Sequence, residues 1–128
     1  MADAWAVIHP SGHLAWYPLT ATAEVEALVG GEVAAGALDR AAVNGPLRVL
    51  ASDIALLFPD RYAGNPVARR MITVLSGGRI TQPWRGCVAL TEYERDDETG
   101  ELLWPGPMSS EWARRVNEAW AEAEAGDG

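Results

Sequence analysis

Asn65-Pro66-Val67-Ala68-Arg69-Arg70-Met71-Ile72-Thr73-Val74-Leu75-Ser76-Gly77-Gly78 reads as a helix with both of its ends written into the sequence. Asn65 is a good N-cap, because a short side-chain oxygen can take an orphan N–H of the first turn. Pro66 sits at the first helical position, where its missing N–H costs nothing. Val67, Met71, Ile72, Val74 and Leu75 then fall on one broad apolar face. Gly77-Gly78 closes the helix, since glycine supplies the left-handed residue that ends a helix cheaply.

An echo of that ending lies upstream. "ALVGGEV" (Ala27 to Val33) matches "VLSGGRI" (Val74 to Ile80) in pattern. A phosphate loop places its glycines before a helix, where free N–H groups and the positive dipole end face the anion. Both pairs here come after an apolar helical stripe, at the negative end. They are stop signals, and neither GxxxxGK[ST] nor GxGxxG occurs.

Working outward, Trp5 to Ile8 and Leu14 to Leu19 flank His9-Pro10-Ser11-Gly12-His13, an opening hairpin with turn residues at its tip. Thr20 or Thr22 caps a short helix carrying Val25, Leu28 and Val29, and Gly30-Gly31 ends it. Glu32 to Leu38 and Leu47 to Leu50 read as strands around the turn Asn44-Gly45-Pro46. Asp53 to Phe58 is an apolar run of undecided type. After the Asn65 helix, Ile80 and the run Cys87 to Tyr93 read as strand. Asp96 to Gly100 is a polar turn, and Leu102 to Trp104 pairs back. Pro105-Gly106-Pro107 breaks the chain, and Ser109 or Ser110 caps a last helix with Trp112, Val116 and Trp120 on one stripe. The expected class is α+β: a single domain over residues 1–120, a mostly antiparallel sheet with two or three helices. Residues 121–128 are expected as an acidic tail.

Composition sets the outer bounds. The 128 residues suit one domain with one core, and 48% apolar content is ordinary for a globular chain. No apolar run reaches the roughly 20 residues of a membrane span, and the N-terminus lacks the features of a secretory signal. Cys87 is the one cysteine, so no internal disulfide forms and a reducing cytoplasm is the expected location. All ten basic residues are arginine, as in a GC-rich bacterial genome. A net charge of −8 argues against non-specific binding to nucleic acid.

Among candidate chemistries, His9 and His13 have i, i+4 spacing, but Pro10 and Gly12 make that segment a turn, and no other ligands stand at metal-site spacing. No metal or cofactor is expected. Cys87 sits in an apolar run as a small hydrophobe, and a catalytic thiol would need a basic neighbour that the sequence does not identify. Glu92 to Glu101 holds six carboxylates and reads as a solvated hairpin tip. With no nucleophile–base or metal set visible, a non-enzymatic protein is expected.

Charge segregation is the most informative feature. From Arg61 to Arg85 the chain carries five arginines (Arg61, Arg69, Arg70, Arg79, Arg85) and no acid. These cations either pair with the protein's own acidic segments or, with Asn65 at the helix start, form a site for an anion or an acidic partner. Tyr62 and Trp84 would add stacking surfaces for a base. The two functional readings are an accessory protein that binds a protein partner and a nucleic-acid or nucleotide binder using the 61–85 face.

The opening strand-turn-strand, "VEALVGGEV", "NPVARRMI" with Asn65 and Ala68, "WRGCVALTEYE" with Gly86, and a final helix after a hairpin come in one order. That order resembles a family of small phage and mobile-element proteins, domain-of-unknown-function family number 3846. The resemblance covers Trp5 to about Trp120; "DIALLFPDRYAG" and "WPGPMSS" depart from it. It implies a small cytoplasmic accessory protein of a phage, plasmid or integrated element, and it brings no catalytic residues.

Overall fold

The computed structural model describes residues 3–30, 38–52, 60 and 62–125. Its strands are β1 (Asp3–Ile8), β2 (Leu14–Pro18), β3 (Leu38–Asn44), β4 (Leu47–Ser52), β5 (Val88–Arg95) and β6 (Leu102–Gly106). Its helices are α1 (Thr22–Gly30), α2 (Pro66–Leu75) and α3 (Ser110–Ala125), with a single 3-10 turn at Leu19–Ala21 leading into α1. All the strands join one antiparallel sheet in the order β2-β1-β5-β4-β3, with β6 also on β5. The α+β expectation holds.

β5 organises the sheet. One of its edges is divided: β1 takes Val88 to Leu90, and β6 takes Glu92 to Arg95. The other edge pairs with β4. Central strands are covered on both faces, so their sequences run apolar without alternation: β1 reads Ala4-Trp5-Ala6-Val7-Ile8, all buried. The two faces build two cores. Ala6, Ile8, Val49, Val88 and Leu90 pack under α2 and α3. Trp5, Val7, Leu50 and Ala89 pack under Val25 and Val29 of α1.

The ends of α2 match the sequence reading. Asn65 Oδ1 accepts the N–H of Ala68 at 3.1 Å. At the other end Gly77 N donates to Val74 O and Gly78 N to Thr73 O, a Schellman closure with both glycines at positive φ. No strand begins directly after Gly78, however. Ile80 lies in irregular chain, its N–H donating to Ser76 Oγ at 3.0 Å, and strand begins only at Val88. Gly30 ends α1 and β3 starts at Leu38, so most of the expected strand Glu32 to Leu38 lies outside the described residues, as does the run Asp53 to Phe58.

Two further expectations shift. Glu92 belongs to no solvated tip: it is buried, and its carboxylate accepts from Ser109 N and Ser109 Oγ at the start of α3, where the helix dipole favours an anion. Residues 121–125 are helix, not tail. Ala123 is buried, and Arg70 Nη1 donates to its carbonyl at 3.2 Å, a cation on the last turn of α3. Trp120 ties the same helix to the β1–β2 turn, its Nε1 donating to Gly12 O at 2.8 Å.

Candidate functional site

The segment 62–65 runs beside 84–86, with Asn65 N donating to Trp84 O and Gly86 N to Ala63 O, each at 2.8 Å. Asn65 is buried under this pairing. Its Nδ2 donates to Ile8 O and to Gly86 O, both at 2.9 Å, while its Oδ1 caps α2. One side chain therefore fastens the helix start, the end of β1 and the approach to β5. With its amide spent inward, Asn65 is a staple rather than a group offered to an anion.

Tyr62 is also turned inward, against the expectation of a stacking surface. It is buried, and its hydroxyl donates to Gly30 O. The ring lies against Gly86, where a Cβ would come within 2.8 Å of Tyr62 Cδ1 and φ is +76°. Only glycine fits there.

The arginines divide into separate places. Arg69 and Arg85 meet at the start of α2, where they line a depression of about 190 Å³ with Gly64, Pro66 and Trp84. Each keeps part of its guanidinium on a backbone carbonyl: Arg69 Nε on Thr81 O at 2.9 Å, Arg85 Nη1 on Tyr62 O at 3.0 Å. Such bonds orient the fork and leave further N–H donors. Among the described residues, no carboxylate lines the depression. Trp84 is half-buried against the core below it, with Nε1 buried and unpartnered. Arg79 lies elsewhere, its Nη2 on Val43 O at 2.6 Å. Arg61 is outside the described residues.

Arg69 also lines a second, larger hollow. This groove of about 510 Å³ runs between α2 and α3, bounded by Pro66, Arg70, Thr73, Val74, Ala119 and Glu122. Val74 is exposed there, against the expectation that it belongs to the core face.

On the opposite face of the sheet the fold makes a contact that sequence spacing gives no sign of. His9 Nδ1 lies 3.4 Å from Cys87 Sγ, and the rings of His9 and His13 are 5.8 Å apart. Burial, with His13 second, holds His9 below its ordinary pKa, and burial pushes the Cys87 thiol up. Both therefore favour their neutral forms. The basic neighbour absent from the sequence reading thus sits 78 positions upstream of Cys87. The one clue was positional: His9 directly follows the run Trp5 to Ile8, and Cys87 opens the run to Tyr93. Among the described residues no group of His, Cys, Asp and Glu is arranged to hold a metal ion, and no helix is long and apolar enough to cross a membrane.

Comparison with protein-family models, curated proteins and solved structures gives no match.

Proposed function

We propose that this protein is a small accessory protein whose α2–α3 face binds an acidic segment of a protein partner. The observation that carries the reading is the double placement of Arg69. It lines both the depression at the helix start and the groove between the helices, where Arg70 and Glu122 stand beside the apolar Pro66, Val74 and Ala119. Arg85 and Arg69 suit a carboxylate pair, since arginine forks match carboxylates in two parallel bonds. Val74, Pro66 and Ala119 supply the apolar seat beside them. The accessory role implied by the family resemblance agrees with a binding face of this kind.

A nucleic-acid partner is the second reading, favoured by Trp84 lining the depression together with Arg69 and Arg85. Fluorescence anisotropy with labelled DNA and RNA across a salt series separates the two. Binding that weakens steeply with salt and is lost in Arg69→Ala/Arg85→Ala would establish nucleic acid as the partner. For the protein-partner reading, cross-links from a captured partner fall on α2 and α3 and start from an acidic stretch, and Arg69→Glu abolishes capture. Cross-links confined to other faces would refute it.

A further inference from the structure

β2 lies at one end of the strand order, and its sequence lacks what edge strands ordinarily carry. In the β1–β2 register Ile8 faces Leu14, so His9 faces His13, and His9 N donates to His13 O at 2.9 Å. Bonded and non-bonded pairs alternate along an antiparallel ladder. Val7 with Ala15 is therefore bonded, whereas Leu14 and Trp16 turn their N–H and C=O groups away from β1. Among the described residues nothing pairs with those groups. Such an edge invites another strand unless charge, proline or a bulge blunts it. β3, at the other end of the order, includes Asp39 and Arg40, and Arg79 holds its Val43 carbonyl. β2 reads Leu-Ala-Trp-Tyr-Pro, with its proline and its register shift both at the Tyr17–Pro18 end. No acid or arginine occurs from Ala4 to Ala23, in a chain that is 22% charged. The strand is half-buried throughout, with Leu14 and Trp16 on the α2–α3 side and Tyr17 on the α1 side. Leu19, just past it, is 46% exposed.

We propose that β2 is the seat of a homodimer, pairing antiparallel with β2 of a second copy about a two-fold axis at Ala15. In that register Leu14 of each copy faces Trp16 of the other. Each such pair exchanges two N–H···O=C bonds, so the outward groups of both strands are satisfied. A two-fold contact needs donors and acceptors placed symmetrically about its axis, and those of residues 14 and 16 are symmetric about 15. The half-exposed Trp16 ring also gains an apolar cross-strand neighbour in Leu14 of the second copy. Charge selects the same occupant. At a net charge of −8 two copies repel each other, and β2 is an edge where neither brings an acid to the contact. A charged peptide would find no counter-charge there. The two-fold axis of an antiparallel pair stands perpendicular to the sheet, so α2 and α3 of both copies lie on one side of a continuous sheet. The dimer presents two α2–α3 faces in the same direction.

The test is sedimentation of the full chain over a dilution series, with amide hydrogen exchange read at both ends of it. The wild type sediments as two chains when concentrated and as one after dilution. The amides of Leu14 and Trp16 exchange on the order of 10-fold slower in the concentrated sample. Ala15→Glu sets two carboxylates directly opposite each other and weakens the dimer on the order of 10-fold. A chain that sediments as a monomer at every concentration overturns the proposal and leaves a segment of another protein as the occupant of the edge. A dimer whose Leu14 and Trp16 amides exchange as fast as those of the monomer overturns it too, and that comparison needs no variant to fold. So does an Ala15→Glu chain that dimerises like wild type. None of these outcomes bears on what the α2–α3 face binds.

Discussion

Replacing Asn65 by alanine removes a helix cap and leaves the carbonyls of Ile8 and Gly86 without their donor. Cap loss costs about 1 kcal/mol, and each stranded buried acceptor about 1 kcal/mol more, so about 3 kcal/mol is expected in urea unfolding. Asn65→Asp is the sharper variant. Aspartate caps a helix as well as asparagine does, but here it would aim a carboxylate at two carbonyls, so its loss should equal or exceed that of Asn65→Ala. The cap was legible in the sequence, since Asn-Pro before an apolar stripe has one meaning. The two donations were not, because they join residues 57 and 21 positions away.

At the same scale, His9 and Cys87 set opposite limbs of the pH–stability curve. His9 is held below its ordinary 6.5, so the unfolded chain binds more protons and stability is lost as pH falls below that value. Cys87 is raised above its ordinary 9.0, so the folded chain keeps its proton longer and stability is lost as pH rises past that value. Thermal unfolding across pH should show a plateau between them, with His9→Gln flattening the acid limb and Cys87→Ala the alkaline one.

For whole elements, α2 divides its residues between two environments. Met71 is fully buried between helix and sheet, whereas Val74 is 52% exposed. Met71→Ala should cost about 3 kcal/mol by leaving a cavity, and Val74→Ala should stay within about 0.5 kcal/mol. Unequal losses of this size in denaturant titrations would fix which face of α2 meets the core. The sequence placed Val74 on the apolar stripe because helical spacing alone gives a broad face. It could not show where α3 stops covering that face. Nor could it place Ile80: an apolar residue after a helix stop resembles a strand start, yet Ser76 Oγ holds its N–H in an irregular turn. The end of α3 was hidden for a related reason. Its last turns are acidic and alanine-rich, and only the packing of Ala123 and the reach of Arg70 make them part of the fold.

Across the molecule, the α+β class was readable because β1 (Ala4 to Ile8) and the start of β5 (Val88 to Leu90) are apolar runs next to strong turn signals. The order of strands depends on pairings between distant segments, which spacing along the sequence does not show. The same strand ends serve opposite faces: Asn65 holds Ile8 and Gly86 on the α2 side, and the next residues, His9 and Cys87, meet on the α1 side. Of the arginine window, the residue types were visible in the sequence, but the separation of Arg79 from the Arg69–Arg85 pair was not.

The central claim, that the α2–α3 face takes an acidic segment, is tested most directly by titrating isotope-labelled protein with a short peptide of glutamates flanking a leucine. Backbone shifts followed by NMR should move at Gly64 to Val74, at Arg85 and at Ala119 to Ala123, and should vanish in Arg69→Glu. Shifts that scatter over the sheet, or that persist unchanged in Arg69→Glu, would contradict that claim.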